Sequence, residues 1–417
     1  MIPLQRLRED PEAIRSGAAL KGEAAPIDEI LELDARARRL RTEVEASRAQ
    51  QRRTSSAIRG APGDDQRRAL TELRQRVQAG ESQLGALESR IDELLLHVPN
   101  PPHESVPPGS GESDNVVVRT WGTPAEFDFD PLTHFEIGER LGLFDFERAA
   151  KLSGSRFAVL YGEAARLQRG LASLFLDIAT REHGYTEVAP PYLVRRESMV
   201  GAAQLPKFED QAYKTEDDMF LIPTAEVPVT NLYRGEVLDG TDLPIAHVAC
   251  TPCWRREAGA AGRDTRGYIR LHQFDKVEMV RFTTPERSLD ELELITAHAE
   301  AVLQRLGIAY RVLIMCTGDM GFAQSKKYDL EAWAPGMRRW LEVSSCSTFG
   351  DFQSRRAGIR YRPPDGGRPQ FVHTLNGSGL AVPRTLAAVL ETYQQVDGTV
   401  LVPSALQPYM GGLGTIG

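Results

Sequence analysis

The sequence predicts an α+β chain: an antiparallel α-helical coiled-coil hairpin at the N-terminus, then a larger domain on a largely antiparallel sheet flanked by helices. Three observations predict it. Two adjacent runs near the N-terminus keep apolar residues at alternating steps of three and four, and a proline-rich break follows at 99–109. Beyond the break, strand-like and helix-like runs come without the strict alternation that would indicate a parallel sheet.

The first run occupies positions 30, 33, 37, 40, 44, 47, 51, 54 and 58. Ile30, Leu33, Ala37, Leu40, Val44 and Ile58 are apolar there, and Ser47, Gln51 and Thr54 are polar. The second is Leu70, Leu73, Val77, Gly80, Leu84, Leu87, Ile91, Leu94 and Val98, the seam of a coiled coil. Gly60-Ala-Pro-Gly-Asp-Asp65 separates them with helix breakers and turn formers. The runs should fold back into a hairpin over about 27–98, each arm roughly 50 Å long.

Charge is unevenly spread. The net charge is −8, yet Arg36 to Arg76 holds twelve arginines against five acids. Arg48, Arg52, Arg53, Arg59, Arg67 and Arg68 crowd the half of the hairpin where the seam turns polar. Such a surface is either a solvated helix face or an arm that contacts phosphates. Its concentration at the turn, where acids are scarce, favours the arm.

Five prolines within 99–109 set the boundary between a domain at 1–105 and another at 106–417. The second opens with a β-branched run at 116–121 and a helix carrying Leu167, Leu171, Leu174, Phe175 and Ile178, ended by Gly184. Strands are expected near 185–190, 219–222, 245–257, 268–282, 310–315, 339–346 and 371–375, with helices over 289–306 and 380–394. Of 417 residues, 41% are apolar and 26% charged, an ordinary globular composition. No apolar run nears the roughly 18–20 residues that span a bilayer, and the N-terminus is charged where a signal peptide is apolar. We therefore expect a soluble, cytoplasmic protein with no membrane partner. Cys250-Thr-Pro-Cys253 invites a redox or zinc reading, but no second ligand pair follows at zinc spacing, and buried strand thiols are the expectation.

Neither Gly-rich nucleotide cradle, G-x-x-x-x-G-K-[ST] or G-x-G-x-x-G, occurs. The informative stretch is Cys253-Trp-Arg255-Arg256-Glu257, a polar loop, then Tyr268-Ile-Arg270-Leu-His-Gln-Phe274-Asp-Lys-Val-Glu278-Met. Strand alternation puts Arg255 and Glu257 on one side and aligns Arg270, His272, Phe274 and Glu278 over a second face of Ile269, Leu271, Val277 and Met279. Three further segments share this polar chemistry: Pro223-Thr224-Ala225-Glu226, Leu341-Glu342-Val343-Ser344-Ser345-Cys346, and His373-Thr-Leu-Asn376-Gly377-Ser378-Gly379-Leu-Ala-Val-Pro-Arg384.

With these segments in order behind a helical hairpin, the chain closely resembles the seryl-tRNA synthetases, of class II and the zinc-free type, over nearly its whole length. The first class motif matches the helix through Leu167 to Glu182 and the strand up to Pro190. The second is Arg255-Arg-Glu257 with its loop and Phe274, and the third runs from Gly377 to Arg384. Thr224-Ala-Glu226, Gly262-Arg-Asp-Thr-Arg-Gly267, His272 to Glu278, Cys316-Thr-Gly-Asp-Met-Gly321 and His373 to Gly379 resemble this family in particular. The sequence departs from the usual pattern at Cys250 and Arg256.

The resemblance implies a class II catalytic sheet, two substrates, ATP and L-serine, and transfer to tRNA(Ser) and also tRNA(Sec). Arg255 would grip the α-phosphate, Arg384 the γ-phosphate, Phe274 would stack on adenine and Glu257 approach its amino edge, with Arg256, Arg270, Val343 and Ser344 completing the ATP site. Glu342 and Ser345 would hold Mg²⁺ with the phosphates. Their spacing of three has opposite parity in a regular strand, so a bulge or strand end is required there. Thr224, Ala225, Glu226, Glu278 and Ser378 would surround serine, with the reader of the amine and the reader of the hydroxyl left open. Arg263 and Arg266 would reach the acceptor end, and the hairpin would bind the long variable arm. A homodimer with the first motif at its interface, and no catalytic zinc, are implied too. A carrier-loading paralogue would lack the hairpin, and a non-enzymatic coiled-coil adaptor would lose Arg255, Glu342 or Arg384. All of these are present.

Overall fold

The computed structural model describes residues 1–258 and 267–417. Arg263 and Arg266 therefore lie outside the described residues. The chain divides into two compact units, Met1–Ala19 with Glu23–Pro99, and Leu20–Gly22 with Asn100–Gly417.

In the first unit, α1 (Leu4–Glu9) and α2 (Pro11–Leu20), too short to stand out by periodicity, precede the hairpin helices α3 (Ile27–Ala57) and α4 (Asp64–Leu95). The seam runs as its spacing predicts: Ile30, Ala37 and Val44 of α3 are buried, as are Leu73, Val77, Gly80 and Ile91 of α4. Toward the turn, Ser47, Gln51 and Thr54 stay half-buried, so the heptad continues after its apolar residues cease. Arg48, Arg52, Arg53, Arg59, Arg67 and Arg68 are all exposed. Arg48 is spoken for by Glu81 at 2.5 Å, and Arg67 lies 3.6 Å from Asp64. Arg52, Arg53, Arg59 and Arg68 have no carboxylate partner among the described residues.

The second unit is built on eight strands: β1 (Val116–Trp121), β2 (Thr186–Glu187), β3 (Ile245–Trp254), β4 (Gln273–Thr283), β5 (Tyr310–Ile314), β6 (Lys326–Ala334), β7 (Arg339–Gly350) and β8 (His373–Ala381). Their order is β1-β5-β6-β7-β8-β4-β3-β2. Every neighbouring pair is antiparallel except β2 with β3.

Helices α5 (Gly162–Arg181), α6 (Glu226–Thr230), α7 (Ser288–Arg305), α8 (Phe352–Ala357) and α9 (Val382–Thr392) flank the sheet. Leu167 and Leu171 of α5, Ile295 and Val302 of α7, and Leu386 and Val389 of α9 form one core with Val277, Met279, Leu330 and Leu375 from the sheet. Each such side chain contributes roughly 1.5–3 kcal/mol when withdrawn from water. On β4 the intervening positions, Phe274, Lys276, Glu278, Val280 and Phe282, turn to the opposite face, and Val280 and Phe282 there pack with Ala225 and Val229 of the α6 segment.

Two expectations need correction. The strands around the second motif end at Trp254 and restart at Gln273, so Arg255, Glu257, Arg270 and His272 are not strand residues. One further backbone bond, Arg255 N–H to His272 O at 2.9 Å, continues the pairing, after which Glu257 at φ +48° leaves extended geometry. β6 was not expected as a strand at all. Lys326-Lys-Tyr-Asp-Leu-Glu-Ala-Trp-Ala334 carries no β-branched residue, yet Tyr328, Leu330, Ala332 and Ala334 alternate into the interior.

The hairpin offers a direct test. A Cβ on Gly80 would lie 2.5 Å from Val44 Cγ2, so the helices meet where one has no side chain. Gly80→Leu should force them apart at a cost of about 1–3 kcal/mol. Hydrogen exchange should report faster opening of peptides around 40–48 and 76–84, with peptides of β4 and β8 unchanged.

Candidate active site

The polar face of β4, β7 and β8 floors a cavity of about 470 Å³. Among the predicted residues, Thr224, Glu226, Arg255, Glu257, Arg270, Phe274, Glu342, Val343, Ser344, Ser345, Ser378 and Arg384 line it. Five cations, Arg255, Arg270, Lys276, Lys327 and Arg384, face three carboxylates, Glu226, Glu257 and Glu342. This excess of positive charge suits a polyphosphate.

Each arginine is held before any ligand arrives. Arg255 Nε donates to Pro223 O at 3.2 Å, and its guanidinium lies 5.2 Å from the centre of the Phe274 ring. His272 Nδ1 is 2.9 Å from Arg255 O, which with the backbone bond fixes the turn out of β3. Arg270 Nη1 donates to Glu257 Oε2 at 2.7 Å. Arg384 sits in the first turn of α9 and donates to Ile269 O at 3.1 Å and Glu342 O at 2.7 Å, with the Glu342 carboxylate at 3.4 Å. Burial raises the Glu342 carboxyl, but Arg384, then Lys327 and Arg255, outweigh it and hold the group below the usual range.

Of the two solutions expected between Glu342 and Ser345, a bulge or a strand end, the bulge is present. Leu330 pairs with Ser344 and Glu331 with Glu342, which leaves Val343 as the extra residue. Val343 is 1% exposed and packs in the core where it meets the cavity wall, and Glu342 and Ser345 on either side both line the cavity. Ser344 Oγ donates to Ser378 O at 2.6 Å and ties β7 to β8.

The other end of the cavity is a buried carboxylate network. Asn376 Nδ2 donates to Glu226 Oε2 at 2.9 Å and Glu278 Oε1 at 3.0 Å, and Lys276 pairs with Glu278. Ser378 Oγ lies 3.4 Å from Glu278 Oε2, and Glu226 N–H donates to Thr224 Oγ1 at 3.2 Å. Glu278 is fully buried beneath this wall, and Ala225 is packed in the interior. Burial, then the nearby Glu278, push the Glu226 carboxyl up to about 7. Arg256 is not on the cavity wall; its N–H donates to Gln211 O at 2.9 Å.

Lys276, Lys327 and Asn376 belong to the site although sequence reasoning assigned them no role. Lys276 was within reach, since it keeps phase with Phe274 and Glu278, and Asn376 lies inside the phrase His373 to Gly379. Lys327 stands on the unrecognised β6. Cys250 and Cys253 are thiols of β3, and burial pushes Cys250 up to about 12. Among the described residues no three His, Cys, Asp or Glu side chains gather as a metal cluster.

Comparison with known proteins gives this cavity its context. The model for the seryl-tRNA synthetase N-terminal domain matches residues 1–102, and the model for the tRNA synthetase class II core domain (G, H, P, S and T) matches residues 207–393. A serine–tRNA ligase of Thermomicrobium roseum is 55% identical over all of this chain and 95% of its own length. The chain belongs to the seryl-tRNA synthetases.

A second member of that family, from Nitratidesulfovibrio vulgaris Hildenborough, is 53% identical over 99% of both chains. The crystal structure of a seryl-tRNA synthetase from Pyrococcus horikoshii complexed with ATP superposes with a TM-score of 0.94 at 39% identity, covering 100% of this chain and 99% of that one. In this seryl-tRNA synthetase the hairpin and the class II core thus occur in one chain with the fold the sequence predicts.

The Glu226 shift has a consequence for stability. The carboxyl ionises above about 4.5 when unfolded but only above about 7 when folded, so its contribution is full at low pH and is lost as pH rises through that window. Denaturation of wild type and E226Q across pH should show their difference moving in favour of the variant between about pH 4.5 and 7, by roughly 3 kcal/mol. A difference that is flat with pH would contradict the assignment.

Proposed function

We propose that this chain ligates L-serine to tRNA in two steps. A serine carboxylate oxygen attacks the α-phosphorus of ATP, the bond to the bridging oxygen of the β-phosphate breaks, and seryl-adenylate and pyrophosphate result. A hydroxyl of the 3′-terminal ribose of tRNA(Ser), or of tRNA(Sec), then attacks the activated carbonyl and displaces AMP. Both nucleophiles arrive with substrates, so the protein's task is alignment and charge compensation. The observation that carries this reading is that Arg255 and Arg384, 129 positions apart in the sequence, open onto one cavity beside a buried acidic pocket.

Arg255 compensates charge at the α-phosphate and Arg384 holds the γ-phosphate, the fork of each guanidinium matching phosphate oxygens. Phe274 carries adenine and Glu257 meets its amino edge, with Arg270 steadying Glu257. Glu226, Thr224, Ser378 and Asn376 receive serine, and Glu278 supports them from below. Alanine would leave acceptors for the hydroxyl unpaired, which penalises it.

A carboxylate and a hydroxyl brought to one side by the bulge at Val343 fit a hard divalent ion that keeps most of its coordination for phosphates and water. Glu342 and Ser345 would hold Mg²⁺, which when bound with ATP offsets phosphate charge. For tRNA we assign the arginines at the hairpin turn: Arg52, Arg53, Arg59 and Arg68 have uncompensated charge to offer, and Arg48 and Arg67 contribute after exchanging a carboxylate for a phosphate. Arg263 and Arg266 act at the acceptor end. The active form is a homodimer joined through α5 and β2, with tRNA bridging the subunits.

Purified protein should exchange pyrophosphate into ATP with serine and not with alanine; no exchange with serine would overturn the reading. Arg255→Ala should reduce that exchange at least about a hundredfold, some 3 kcal/mol of transition-state stabilisation. Deleting residues 36–76 should spare adenylate formation and weaken tRNA charging, and charging that survived deletion at high salt would remove the hairpin as the tRNA handle.

A further inference from the structure

Behind the cavity, on α8, lies a glutamine that does not itself line it. Gln353 is 0% exposed. Its Nε2 donates to Glu226 Oε1 at 2.6 Å and to Ala202 O at 3.2 Å, and its Oε1 accepts from Thr374 Oγ1 at 2.7 Å. Both N–H donors and one lone pair of the amide oxygen are used, and only one orientation satisfies them: the NH₂ must face the two acceptors and the oxygen must face the hydroxyl. Asn376 takes the other oxygen of Glu226. The carboxylate therefore has a donor on each oxygen and cannot rotate without breaking one bond.

We propose that Gln353 is a positioning residue for the amino-acid site, acting through Glu226 by fixing the orientation in which that carboxylate meets serine. The inference rests on the function proposed above and deepens it. Whichever end of serine Glu226 receives, ammonium or hydroxyl, the incoming group can donate, and an ionised carboxylate with its remaining lone pairs turned into the cavity receives it best. Gln353 serves both needs. The charged groups around Glu226 are Glu278 and Lys276 on β4 and Arg255 beyond β3. Lys276 is engaged by Glu278, and Glu278 opposes ionisation of Glu226. Burial also opposes it, and the bond from Gln353 favours it. Without that bond the carboxylate would be protonated up to a higher pH and held in orientation by Asn376 alone.

The test is serine-dependent exchange of pyrophosphate into ATP by the full-length chain, wild type against Gln353→Leu, with serine and ATP titrated separately from about pH 5.5 to 9. Loss of one charge-assisted bond to the serine ligand should raise KM for serine roughly tenfold and leave KM for ATP within about twofold. The acid limb of kcat/KM for serine, which reports the free enzyme, should move to higher pH. A purely structural role would lower the active fraction, and hence apparent kcat, without moving either quantity. Thr374→Val keeps the side-chain shape and removes the hydroxyl that orients the amide; it should move both quantities in the same direction by less. If serine KM and the acid limb stay at wild-type values in Thr374→Val, or in a folded Gln353→Leu, the role assigned to Gln353 is wrong. Wild-type protein that fails to exchange with serine would instead bring down the proposed function, and this inference with it.

Discussion

Two bulges in adjacent strand pairs decide which side chains the sheet presents to the cavity. Val343 is extra on β7, and on β8 the register passes from Ser378 opposite Glu278 to Leu380 opposite Val277, leaving Gly379 between. Without the second bulge Leu380, five residues after the core residue Leu375, would have the wrong parity for the interior. Gly379 permits it because a Cβ there would stand 3.0 Å from Val277 Cγ1. Polar residues at odd spacing thereby share one face while the apolar face stays continuous.

That geometry also explains why buried charge is tolerated. Glu226 and Glu278 lie within one network with a single lysine, an arrangement that costs stability unless nearly every polar atom finds a partner. Asn376 serves two carboxylates, Gln353 one, and Lys276 the deepest. The residual imbalance falls on Glu226, the carboxylate at the cavity wall, where a cationic substrate would relieve it.

Much of this was legible in the sequence, for reasons that differ by element. The hairpin was readable because its seam depends on local periodicity, and even Ser47, Gln51 and Thr54 kept their phase. Once the family resemblance placed Glu342 and Ser345 at one site, their parity conflict was readable as a demand for a bulge or a strand end, because side-chain alternation in a regular strand would separate them. The ends of β3 and β4 were not, because a positive φ at Glu257 is imposed by tertiary contacts and leaves no mark on composition. β6 went unseen because it has no β-branched residue and its charges, Lys327 on the cavity wall and Glu331 against Arg311 among them, find their places only in the assembled sheet. Gln353 lies beyond sequence reasoning for the same reason: its partners, at 202, 226 and 374, meet only in the fold.

The thiols behind the cavity bear on how the chain withstands chemical insult. Cys250 and Cys346 are pushed up to about 12 by burial, and Cys253 is raised for the same reason. Sulfur held as thiol is a poor nucleophile and a poor target for peroxide. These three thiols are thus poor handles for oxidants and for covalent reagents that seek a thiolate.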